Sequence, residues 1–140
     1  MTETVVSDFE LDSRLAADSV LIADGPLSQI RAMNDARFPW IVLVPRVAGA
    51  SEWIDLDGGQ QRLLLAEINQ ISQHLKQKPG VTKLNIGALG NIVSQLHIHI
   101  VGRSPSDAAW PGPVWGSGPA QRYDADDLAE RIEIWRQRLR

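Results

Sequence analysis

The run Trp40-Ile41-Val42-Leu43-Val44 is apolar at every position, and Pro45 stops it. Successive side chains of a strand point to opposite faces. A run of this kind therefore buries both faces and belongs at the centre of a sheet. Candidate companions lie on either side of it in the sequence. Ser19-Val20-Leu21-Ile22-Ala23 and Leu27 to Met33 read as strands joined into a hairpin through the turn signal Asp24-Gly25-Pro26. Asn34-Asp35-Ala36-Arg37 reads as a polar loop, Lys83–Gly87 as a fourth strand and Ile92–Val101 as a fifth.

Helical periodicity marks the rest. Leu64, Ile68, Ile71 and Leu75 recur at spacings of 4, 3 and 4, which predicts one buried stripe on a central helix from Gln60 to Gln77. Asp57 stands where an N-cap would, and Pro79-Gly80 closes the segment. Leu128, Ile132, Trp135 and Leu139 repeat the spacing in a last helix that begins at Asp124, and residues 8–18 suit a short opening helix. His74 falls on the polar face of the central helix and is expected to be solvated. Short links between strands, with a long helix among them, predict an α+β fold with a largely antiparallel sheet. A chain of 140 residues is expected to form one domain, 1–140.

Composition excludes several classes of function. With 14 Lys and Arg against 17 acids and a net charge of −3, there is no basic surface for nucleic acid. The absence of cysteine removes disulfides, thiolate zinc sites and cysteine nucleophiles, and fits a reducing cytoplasm. Met1 to Asp8 shows no basic region followed by an apolar run, so no secretory signal is expected. The apolar runs are too short to span a bilayer, and no membrane partner is expected.

Chemistry concentrates between residues 85 and 101. Gln95, His97 and His99 alternate with Leu96, Ile98 and Ile100. A strand with this alternation projects two imidazoles and an amide from one face and anchors the other face in a core. Two core histidines satisfied by hydrogen bonds would explain the pattern without function. A metal site is a second reading, since His-x-His on a strand can supply two ligands. Against it, no third ligand stands nearby, and a Gln carbonyl is a poor zinc donor. The third reading is nucleophilic chemistry, for which imidazole is suited near neutral pH.

The loop just upstream favours that reading. Gly87 and Gly90 permit backbone geometry and ligand approach closed to other residues. Turn N–H groups can form an anion-binding concavity, and Asn85 and Asn91 add neutral donors for phosphate oxygens. The expectation is a site for a phosphorylated ligand with a nucleophile beside it.

Residues Asn85 to Arg103, NIGALGNIVSQLHIHIVGR, resemble the signature of the histidine triad (HIT) superfamily, His-φ-His-φ-His-φ-φ with φ apolar, preceded by Asn and a Gly-rich loop. The likeness extends to Trp40–Pro45, the central helix and Trp110-Pro111. It covers roughly residues 20–115, leaving a C-terminal extension with a helix at about 124–139. The resemblance implies a five-stranded antiparallel sheet per subunit and a homodimer. It also implies hydrolysis or transfer at the α-phosphate of dinucleoside polyphosphates, phosphoramidates or adenylylated compounds. By position, His97 matches the nucleophile, whose Nδ1–H is oriented by the main-chain carbonyl of residue 95, and His99 matches the histidine that contacts the phosphate and bridging oxygen.

Gln95 replaces the first histidine of the motif. It can donate a hydrogen bond but carries no proton to give. Asn91 stands where Gln is frequent, and Ile92 replaces a hydroxyl residue. Asn34 resembles the ribose-contacting position. The catalytic set expected is His97, His99 and Gln95, with Asn34, Asn85, Gly90 and Asn91 binding substrate. No cofactor or protein-bound metal is expected, only Mg²⁺ carried by a polyphosphate. The alternative is a nucleotide-binding sensor or adaptor with little turnover, which Gln95 and Ile92 favour.

Overall fold

The computed structural model describes residues 8–140. Residues 1–7, which bear on the expected lack of an export signal, lie outside them. The elements in chain order are α1 (Ser13–Asp18), β1 (Ser19–Asp24), β2 (Ser28–Met33), β3 (Trp40–Pro45), α2 (Gly58–Lys76), β4 (Lys83–Gly87), β5 (Ile98–Arg103) and α3 (Ala125–Arg138). The five strands form one antiparallel sheet in the order β1-β2-β3-β5-β4. The apolar strand β3 is its centre, as its composition requires, and Ile41, Val42, Leu43 and Val44 are all fully buried.

One face of the sheet is covered by α2 and α3. Ile30, Ile41, Leu43, Ile98 and Ile100 pack there against Leu64, Ile71, Leu75, Ile132 and Trp135. Asp57 caps α2 as expected: its carboxylate accepts from the Gln60 N–H at 2.8 Å, and the Gln60 side chain accepts from the Asp57 N–H at 2.9 Å. Asp124 caps α3 in the same way through the Asp127 N–H. The opposite face carries Trp40, Val42 and Val44, partly roofed by Leu15 from α1. Phe38, Val101 and Val114 form a smaller cluster beside it. No helix among the described residues is long and apolar enough to cross a membrane.

Three details differ from the sequence reading, and a fourth was not read there. The opening helix is a single turn and a half, 13–18 rather than 8–18. The last strand begins at Ile98 rather than Ile92, because the ladder with β3 ends at the Leu43–Ile98 pair. Before it the backbone turns away, and the Leu96 N–H donates to the Ala50 carbonyl at 3.0 Å. His74 is half-buried rather than solvated, its ring edge-on to Trp135 at 6.1 Å. Glu67, a charge within the buried stripe of α2, is 3% exposed. Its carboxylate accepts from the Leu27 and Ser28 N–H groups at 3.1 and 3.0 Å and so holds the start of β2.

Candidate active site

On the sheet face away from α2 lies a cavity of about 550 Å³, within the range of small-molecule sites. His97 and His99 lie in its wall, 6% and 7% exposed, with ring centroids 4.8 Å apart and planes nearly perpendicular. His99 stands on β5 between Val42 of β3 and Gly87 of β4. Gly87 leaves room that a side chain would fill, since a Cβ there would come within 3.3 Å of the Trp115 ring. Trp115 occupies that room, its centroid 5.5 Å from that of His99. Gly90 adopts φ of +70°, a left-handed turn that favours glycine, and with Asn91 brings the loop to the cavity edge.

Hydrogen bonding fixes the protons on both rings. The Nδ1 of His97 is 2.7 Å from the Gln95 carbonyl oxygen. A carbonyl only accepts, so Nδ1 carries the hydrogen and Nε2 keeps its lone pair. The Trp40 indole N–H donates to His99 Nδ1 at 3.0 Å. An indole only donates, so here Nδ1 holds the lone pair and Nε2 carries the hydrogen. The two neighbouring imidazoles are opposite tautomers: one presents a lone pair, the other an N–H donor.

Burial, reinforced by the neighbouring His97, lowers the His99 pKa to about 3. The ring therefore stays neutral throughout the physiological range.

Other expected site residues are placed less directly. Asn34 lines the cavity, and its carbonyl oxygen accepts from the Tyr123 N–H at 2.9 Å. Asn85 lies outside the lining, where its oxygen accepts from Arg103 at 2.7 Å. The side chain of Gln95 also lies outside. Its amide donates to the Glu10 carbonyl at 2.7 Å, and its oxygen accepts from the Asp12 N–H at 2.8 Å. The residue that replaces the motif's first histidine thus ties the N-terminal segment to the sheet, and α1 from that segment adds Leu15 and Arg14 to the cavity wall. Gln95→Ala removes two hydrogen bonds, about 1–3 kcal/mol of stability. In steady-state kinetics it is expected to raise KM several-fold with little change in kcat, which reverses what a direct catalytic role would give.

The sequence reading missed three contributors. Trp40 looked like a core residue, and only the register of β3 on β5 reveals its N–H bond. Arg14 stands in the cavity wall without an ion-pair partner among the described residues. The loop 34–37, read only as polar, is a staple. Asp35 is 2% exposed and pairs with Arg37 at 2.8 Å. Burial opposes its charge, but hydrogen bonds from the Arg37 side chain and from the Arg37 and Gln121 N–H groups outweigh that and hold its pKa below the usual carboxylate value. Arg37 also donates to the Ser117 carbonyl at 3.2 Å, which draws the segment after Trp115 across the cavity. Among the described residues no three His, Cys, Asp or Glu side chains gather where a metal could be held.

Comparisons with known proteins agree with this architecture. The model of the HIT domain family matches residues 14–106. A histidine triad protein from Bradyrhizobium japonicum is 45% identical, with 94% of this chain and 98% of that one covered and a TM-score of 0.89. One from Sinorhizobium meliloti is 42% identical (94% and 95% covered, TM-score 0.85), and one from Marinobacter aquaeolei 40% (94% and 96%, TM-score 0.90). No curated protein matches. With the family model spanning most of the chain, and the paired histidines standing where the motif puts them, this protein belongs to the histidine triad family.

Proposed function

We propose that the chain is a nucleotide hydrolase or nucleotidyl transferase acting at the α-phosphate of a nucleoside phosphate derivative. His97 Nε2 attacks the α-phosphorus in line, and the bond to the leaving group breaks. Water then splits the nucleotidyl-histidine. The observation that carries this reading is the pair of opposite tautomers, a lone pair beside an N–H, in the wall of a cavity of nucleotide size. His99 Nε2–H and the loop around Asn91 meet charge that develops on the phosphate oxygens, and Arg14 adds positive potential. Mg²⁺ arrives only with a polyphosphate substrate.

A screen of adenosine and guanosine polyphosphates and phosphoramidates, with products read by mass spectrometry, tests the reading. Acid quenching should reveal a nucleotidyl adduct on the protein. Tight nucleotide binding without turnover would assign the chain to the sensor or adaptor class instead. Ile92, 80% exposed in the cavity wall, favours that alternative. Gln95 gives it no support, because its side chain serves the N-terminal segment.

Assembly belongs to the same proposal. β4 is an edge of the sheet, Ile86 on it is 51% exposed, and Leu65 on α2 is 53% exposed. Pairing of β4 with a second copy would cover the free edge, with Gln61, Leu65 and Ser72 of α2 near their own counterparts, under the two-fold symmetry commonest in soluble oligomers. Light scattering is expected to give about twice 15.5 kDa, with or without nucleotide. A monomer at micromolar concentration would refute the pairing.

A further inference from the structure

We infer that the site is confined to substrates whose leaving group departs as a stable anion, as from phosphoric anhydrides, mixed carboxylic–phosphoric anhydrides and activated aryl esters of a nucleotide, to the exclusion of phosphoramidates. The inference rests on the function proposed above and narrows its substrate class.

The argument is a search for a proton. When His97 Nε2 bonds to phosphorus, the electron pair of the breaking bond moves to the leaving atom. An anhydride oxygen keeps that pair as phosphate or carboxylate and needs nothing more. An amine nitrogen cannot leave as an amide anion and requires a proton as the bond breaks.

No cavity group is placed to give one. His97 holds its Nδ1 hydrogen on the Gln95 carbonyl, and its other nitrogen is forming the new bond. His99 is neutral. To become an acid it would need a hydrogen on Nδ1, but the Trp40 N–H already points at that atom from 3.0 Å, and two donors would oppose each other. Its Nε2–H can support a bridging oxygen by hydrogen bonding without being transferred.

The carboxylates in the wall are paired, Asp35 with Arg37 and Asp18 with Arg122. Gln95, at the position of the motif's first histidine, is turned away and has no acidic proton. Hydrolysis then closes the cycle: water attacks phosphorus, the P–N pair returns to His97 Nε2, and the water's proton goes to solvent.

Trp40 is thus a positioning residue. It acts through His99, by forbidding the protonated ring.

The test compares three adenosine substrates on the same protein: a dinucleoside polyphosphate, the nitrophenyl ester of AMP, and adenosine 5′-phosphoramidate. The first two should turn over, and the third should be slower by about 10²–10⁴-fold in kcat/KM, the usual worth of a missing general acid. Trp40→Phe keeps a ring and removes the N–H. In it the phosphoramidate is expected to gain relative to the anhydride as pH falls below about 6.5, the ordinary imidazole value, whereas wild type shows no such gain. Nitrogen NMR of the histidine rings gives a readout independent of turnover: His99 should remain the Nε2–H tautomer down to about pH 4.

Phosphoramidate turnover within about tenfold of the anhydride would overturn the inference while leaving the proposed function standing. So would a protonated His99 at pH 6. Failure of all three substrates would remove the proposed function, and this selectivity with it.

Discussion

His97→Ala is expected to abolish turnover, by at least about 10³-fold, and to leave the unfolding midpoint almost unchanged. The size follows from the proposed covalent mechanism, in which loss of Nε2 leaves no nucleotidyl-enzyme and the residual rate comes only from binding and charge stabilisation. The small stability effect follows from geometry. The His97 ring stands in the cavity wall, and its one hydrogen bond reaches a carbonyl only two residues away. His97→Gly with added imidazole should recover part of the rate, since the small molecule can occupy the vacated space. A His97→Ala protein that retained more than about a tenth of wild-type activity would end the covalent mechanism.

The largest loss of stability is expected at Arg103. This guanidinium is 2% exposed and lies among aromatic rings, over Phe38 at 5.6 Å and Trp110 at 5.7 Å. It donates to both oxygens of Asp107 at 2.7 and 3.1 Å, to Asn85 at 2.7 Å and to the Gly112 carbonyl at 2.7 Å. Arg103→Ala removes the bonds to Asp107, Asn85 and Gly112 together and leaves the half-buried Asp107 carboxylate only the Ser104, Ala109 and Trp110 N–H groups, a loss of about 3 kcal/mol or more in a domain whose total stability is of order 5–15 kcal/mol. Urea unfolding would show it as a lowered midpoint. Lysine should not restore it, because a point charge cannot reproduce the fork.

The same pair predicts an acid limb. Arg103 lowers the folded Asp107 pKa to about 2 from an ordinary 3.8. Its stabilisation is therefore full above the ordinary value and disappears as pH falls towards about 2.

Much of this architecture was legible because its causes are local. The periodic stripes of α2 and α3, the cap Asp57, the start of the last helix at Asp124 and the apolar run of β3 depend on neighbours a few residues away. The edges of that legibility are equally physical. The alternation begins at Gln95 and an apolar pair precedes it at Ile92-Val93, yet a strand needs a partner, and β3 offers none beyond the Leu43–Ile98 pair. Nothing local marks Glu67, whose partners Leu27 and Ser28 lie some forty residues earlier.

The site divides the same way. His97, His99, Gly90 and Asn91 sit close together in sequence and in space, and the motif exposed them. Gln95 and Asn85 share the motif but turn their side chains to Asp12 and Arg103, which no spacing rule could reveal. Trp40 and Asp35 act through residues 59 and 86 positions away.

The staple from Asp35 and Arg37 to the segment around Ser117 and Gln121 divides the labour along the chain. Both histidines lie inside the stretch shared with the family, residues 14–106. Val114 and Trp115, which close the cavity over them, lie beyond it. Both histidines thus come from the first stretch, while the wall around them is divided: Leu15, Asn34 and Gly90 come from the first, and Val114, Trp115 and Arg122 from the second. Mutational drift in the second can reshape one side of the entrance while leaving both histidines in place. A chimera that exchanges only residues 107–123 with those of a relative replaces one side of the cavity, and is expected to shift substrate preference while keeping both histidines.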